Sequence, residues 1–93
     1  MSTGVLTLQI IFPMVHSLKE KRSLLQRLFS KIRKTFNVAI AEIDARDLWQ
    51  KSVIGVVSIN SSTQELQRTL DFVVNLVGDE SELQLIDYQV EIS

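Results

Sequence analysis

Cysteine is absent from this 93-residue chain. Disulfides, thiolate metal sites and cysteine nucleophiles are excluded together, and the composition suits a reducing cytosol. Proline occurs once and glycine three times, nothing repeats, and 45% of the residues are hydrophobic. That is the make-up of a globular domain rather than a disordered segment. Long apolar runs are missing as well. Gly4 to Phe12 falls far below the roughly 20 apolar residues that a bilayer-crossing helix needs. No Lys or Arg precedes it, no small-residue cleavage site follows it, and Thr7 and Gln9 interrupt it with strand-like alternation, unlike a secretory signal. A soluble cytoplasmic protein without membrane attachment is expected. The chain also has no G-x-x-x-x-G-K-[ST] loop, no G-x-G-x-x-G turn and no H-E-x-x-H helix, so no cofactor, metal or small-molecule substrate is expected.

What is present is a regular succession of elements. Gly4 to Phe12 reads as a strand that Pro13 ends, because proline has no N–H to give a ladder. Ser17-Leu18-Lys19-Glu20 has capping-box spacing. Leu18, Leu25, Leu28, Phe29, Ile32 and Phe36 then recur at steps of about three, four and seven, which predicts a helix to about Thr35. Phe36 to Ala45 and Ser52 to Asn60 are β-rich runs joined by Arg46 to Lys51, a length suited to an antiparallel hairpin. A second capping box, Ser62 to Glu65, opens a helix striped by Leu66, Leu70, Val73, Val74 and Val77, with Gly78 placed for a left-handed C-terminal cap. After an acidic turn, Asp79 to Glu82, the strand Leu83 to Ile92 alternates Ile86, Tyr88, Val90 and Ile92 with Asp87, Gln89 and Glu91.

The order β-α-β-β-α-β predicts one α+β domain over residues 1–93. The arrangement is ferredoxin-like, a four-stranded antiparallel sheet with two helices on one face. Its central strands, the first and third, are apolar on both sides. Val5 and Ile11 oppose Leu6, Leu8, Ile10 and Phe12, and Val53, Val57 and Ile59 oppose Ile54 and Val56; helices can cover only one of these faces, and the uncovered apolar one predicts a homodimer. Phe72, off the second helix's stripe, is expected to join that face.

Charge is distributed unevenly. The molecule has a formal charge of −1, yet Ser17 to Phe36 holds seven cations against Glu20 alone, a net of six positive charges, and the remainder has a net of seven negative ones. Such a split polarises the surface toward a polyanion. At 100° per residue Lys19, Arg27, Lys31 and Lys34 lie opposite the apolar stripe, with Arg22 and Arg33 along one flank, and these six are the candidate nucleic-acid contacts. A solvated helix face is the ordinary explanation of surface Lys and Arg, but such faces mix both signs, as the second helix does with Glu65, Arg68 and Asp71.

Lys21 falls on the apolar side, so its ammonium must snorkel out or meet a carboxylate. Glu42 and Asp44, two apart and so on one strand face, are the candidate partners. With Asp47 they also suggest a hard-cation site, but an intramolecular ion pair is the simpler expectation. His16 precedes the helix cap with no nucleophile assignable beside it, since Ser17 is explained as the cap, which favours structural or binding duty over catalysis. Trp49 has the means to stack on a base, although a lone hairpin Trp more often caps a small core.

Together these residues carry a resemblance. His16-Ser17-Leu18-Lys19-Glu20-Lys21-Arg22-Ser23, then Phe36-Asn37-Val38, Ala41-Glu42, Asp44, Asp47-Leu48-Trp49-Gln50 and Gly55 resemble in order and spacing the YlxP-like family, small bacterial proteins of uncharacterised function, over Gly4 to Ile92. The resemblance implies a ferredoxin-like fold, dimers, and gene neighbours among translation-initiation and ribosome-maturation factors. It transfers no catalytic role to His16, Ser17, Lys19, Lys21 or Arg22. Ala39 and Ile40 depart from the expected small-polar/Val pair, which touches packing only.

The expected function is therefore that of a non-enzymatic RNA- or ribosome-associated binding protein using the basic first helix. The central strands carry no solvent-face Phe or Tyr for stacking bases, so contact through the open sheet is not expected. A regulatory or scaffolding module that binds an acidic protein is the alternative. An acylphosphatase-like enzyme is the least supported, because Pro13 to His16 offers no arginine-bearing phosphate loop.

Overall fold

A computed structural model describes residues Met1–Ser93. The six elements form in the predicted order: β1 (Ser2–Ile11), α1 (Leu18–Thr35), β2 (Ala39–Asp44), β3 (Lys51–Asn60), α2 (Thr63–Gly78) and β4 (Gln84–Ile92). The strands pair antiparallel in the order β2-β3-β1-β4, the ferredoxin-like arrangement with β1 and β3 in the middle. The pleat then sorts the side chains. Leu6, Leu8 and Ile10 of β1, Ile54 and Val56 of β3 and Ile40 of β2 are buried toward the helices. There they meet Leu25, Leu28 and Ile32 of α1 and Leu66, Leu70, Val73 and Val77 of α2. Sixteen apolar side chains make one cluster. Gly4 lies under α2, where a Cβ would come 2.7 Å from Leu70 Cδ1, so its missing side chain sets how closely α2 rests on β1.

The opposite sheet face is open, and Val5, Ile43, Val57 and Ile59 are exposed there. Phe72 does not join them. It stacks on Phe36 with ring centroids 6.4 Å apart, because α2 lies across the other side of the sheet.

The element ends differ from expectation in ways that have local causes. Ser17 Oγ accepts the Glu20 N–H at 3.1 Å, but the Glu20 carboxylate reaches the N–H of His16 rather than that of the cap. Ser62 caps α2 through the Glu65 N–H, while its own N–H goes to Asn60 Oδ1, which leaves the second box half closed. Gly78 is not left-handed: it stays helical, and Asp79 ends α2 with its N–H bonded to the Asn75 carbonyl. Left-handed backbone occurs instead at Ala45, with φ of 59°. β2 begins at Ala39 because Phe36 still caps α1, donating its N–H to the Ile32 carbonyl. In β4 a register shift opposite Gln9 and Ile10 pairs Leu85 with Ile10 and Asp87 with Gln9. Ile86 becomes the extra, exposed residue, and Leu85 takes its predicted place beside Val90 and Ile92 on the core side. No helix is long and apolar enough to cross a membrane.

Candidate functional site

Lys21 shares a helix face with Leu25, Leu28 and Ile32, and like them it is buried. It does not snorkel. Its Nζ lies 2.8 Å from Glu42 Oε2 and donates to the carbonyls of Ala45 at 2.9 Å, Lys51 at 3.0 Å and Arg46 at 3.4 Å. Ser52 Oγ donates to the same Glu42 oxygen at 2.7 Å. A buried ammonium is tolerable only when so fully bonded, and here the bonds close the β2–β3 connection around it. The left-handed Ala45, a conformation costing about 1–2 kcal/mol for a residue with a Cβ, contributes one of the three carbonyls.

Asp44 is not a second partner for Lys21. A bulge pairs Glu42 with Ile54 but Asp44 with Val53, so Glu42 faces the core and Asp44 the open side. The extra residue, Ile43, cancels the two-residue rule of strand sidedness. The Asp44 carboxylate accepts the Ala45 N–H at 2.7 Å. Glu42, Asp44 and Asp47 do not converge as a cation site: Glu42 is committed to Lys21 and Ser52, and Asp44 to the backbone.

The connection is also tied to the loop after β1. Gln50 Nε2 donates to the carbonyls of Pro13 at 3.3 Å and Val15 at 3.1 Å, and the Phe12 N–H donates to the Gln50 carbonyl at 2.9 Å. Residues 16–23 and 42–50, distant in sequence, therefore form one end of the molecule. His16 is exposed there, and its backbone N–H, not its ring, makes the local hydrogen bond. Trp49 does not cap the core: it is 49% exposed, beside exposed Leu48.

The six candidate cations divide by flank. On the side facing the turn between α2 and β4, Arg27 Nη2 lies 3.3 Å from Glu82 Oε2, and Lys31 Nζ lies 2.8 Å from Glu80 Oε1. These two are therefore not free, as a uniformly open ridge requires. The acidic turn is separated from them by about fifty residues, and the fold brings it alongside α1. Lys19, Arg22 and Lys34 are exposed and make no ion pair with the chain's own carboxylates. Arg33 donates to the Ile40 carbonyl at 3.2 Å and lies over the Phe29 ring at 5.8 Å, so it too keeps an uncompensated charge. Arg46, which the helix pattern had no means to include, adds a further cation on the β2-facing flank.

The family model described as "Protein of unknown function (DUF503)" matches residues 3–90. The chain belongs to that family. A curated relative, "Uncharacterized protein YlxP" of Bacillus subtilis (strain 168), is 43% identical over an alignment covering 61% of this chain and 66% of the relative. The match thus spans just under two thirds of that protein. Among solved structures, the "De novo designed protein Foldit4" superposes with a TM-score of 0.56 at 9% identity, covering 100% of this chain and 97% of the other. That likeness is one of fold alone.

Proposed function

We propose that the protein is a non-enzymatic RNA- or ribosome-associated binding protein that grips phosphates with the outer and β2-facing sides of α1. The carrying observation is the asymmetry of charge compensation: Glu80 and Glu82 hold Lys31 and Arg27, while Lys19, Arg22, Arg33 and Lys34 have no carboxylate partner. Exposed ion pairs are worth about 0–1 kcal/mol, so a polyanion can also compete for Arg27 and Lys31 at little cost. With three to five phosphates neutralised, the slope of log K against log salt is expected to be about −2 to −4, at −0.7 to −0.9 per contact. An anisotropy titration against RNA at several salt concentrations tests this, and a slope near zero contradicts it. The reading includes a homodimer through the open sheet face, supported by exposed Val5, Ile43, Val57 and Ile59. Sedimentation is expected to find a dimer that Val57→Lys converts to monomer.

The ion pairs themselves favour a second reading, in which the ridge binds an acidic protein segment, since carboxylates already sit on it. Reversing Arg22, Arg33 and Lys34 to Glu separates the two. Loss of a protein partner with RNA binding retained supports the second.

A further inference from the structure

A groove of about 400 Å³ runs between α1 and the free edge of β2, and its rim carries Arg22, Arg33 and Arg46. No carboxylate pairs with any of the three. The one acid in the groove, Glu42, is balanced from behind by buried Lys21 at 2.8 Å, so the local field stays positive. The wall is apolar, with Leu25, Phe29 and Ile40 among its residues. Arg33 differs from its neighbours in being fixed: one N–H bonds the Ile40 carbonyl, and the guanidinium lies over the Phe29 ring. A planar cation backed by an aromatic ring leaves its outer face for another flat π-system. The two exposed arginines beside it, Arg22 and Arg46, have the fork geometry that suits phosphate oxygens.

We propose that this groove takes one unpaired nucleotide of single-stranded RNA, its base stacked on Arg33 and its flanking phosphates held by Arg22 and Arg46. The proposal rests on the phosphate-gripping reading above and makes it specific. Bases stack on arginine planes as they do on aromatic rings, and that face is available only when the base has left its duplex. The volume falls in the range of small-ligand pockets, about 300–1,000 Å³. It admits a nucleotide unit, whereas a base paired within a double helix cannot present its face to Arg33.

The test compares a short fluorescein-labelled oligoadenylate with a blunt RNA duplex of the same length, by anisotropy at fixed salt, with circular dichroism confirming that each variant is folded. The single strand is expected to bind more tightly. Arg46→Ala is expected to weaken it by about tenfold, as for loss of a bidentate phosphate contact. Lys34→Ala, outside the groove, is expected to weaken strand and duplex alike by about two- to threefold. Arg33→Lys keeps the charge and removes the plane, so strand binding is expected to fall by about fivefold and duplex binding by clearly less. Equal affinity for strand and duplex, or equal effects of Arg46→Ala and Lys34→Ala, overturns the groove and leaves the broader reading standing. Displacement of the strand by polyglutamate at comparable concentration also overturns it, in favour of an acidic peptide. Absence of any RNA binding overturns both.

Discussion

The two flanks of α1 carry the same kind of residue and behave differently. Toward the α2–β4 turn, Arg27 and Lys31 are met by Glu82 and Glu80. Toward β2, Arg22 and Arg33 are met by another cation, Arg46, and the one nearby acid is already consumed by Lys21. Residue type therefore does not decide whether a basic surface is available; the charge of the neighbouring element does. The turn compensates its flank, whereas the hairpin reinforces its own.

The largest way to break the contrast is to dismantle the β2 side. Lys21→Met leaves Glu42 without its cation and removes the ammonium donor from the carbonyls of Ala45, Arg46 and Lys51, of which Ala45 keeps the Leu48 N–H. It is expected to cost about 3–5 kcal/mol in urea unfolding, and Glu42→Gln in the same chain is expected to recover part of that loss. A smaller effect sharpens the contrast from the other side. Glu80→Gln with Glu82→Gln frees Arg27 and Lys31 and is expected to steepen the salt slope of single-stranded RNA binding by about 1.4, two contacts at about −0.7 each. An unchanged slope indicates that RNA does not reach that flank.

Two backbone changes probe the connections that make the flanks differ. Gly78 is helical with open space where a Cβ would stand, so Gly78→Ala is expected to add about 0.5–1 kcal/mol to stability without disturbing the turn that bears Glu80 and Glu82. Ala45→Gly relieves the left-handed strain of about 1–2 kcal/mol but returns about 0.4–1 kcal/mol through the freer unfolded chain. A net gain of about 0.5 kcal/mol is expected in the same unfolding assay.

How much of this was legible in the sequence depends on the range of each interaction. The element order and Ser17 as the cap of α1 are encoded within a few residues and formed as predicted, although the Glu20 half of the box bonds His16 instead. The helical angle of Lys21 put a cation on the apolar side and left snorkelling and ion pairing both open, and strand spacing offered Glu42 together with Asp44; the structure buries the ammonium against Glu42. Asp44 was misplaced because a bulge is a property of two strands in register, and one strand's alternation does not contain it. Gly78 was misread because Asp79 continues the helical geometry that a left-handed cap interrupts. The pairs Arg27–Glu82 and Lys31–Glu80, and the approach of Arg46 to Arg22, join residues that only the packed fold makes neighbours. No local periodicity encodes them.

The central claim is that α1 meets RNA through its β2-facing flank. Its most direct test is the salt dependence of single-stranded RNA affinity in three proteins: the unaltered chain, Arg22→Ala/Arg33→Ala/Arg46→Ala, and Arg27→Ala/Lys31→Ala. The expected slope is about −2 to −4 for the first, shallower by about 1.4 for the second, from the phosphate contacts of Arg22 and Arg46 at about −0.7 each, and by less than about 0.7 for the third. A slope near zero in the unaltered chain, or the same loss in both variants, contradicts the account.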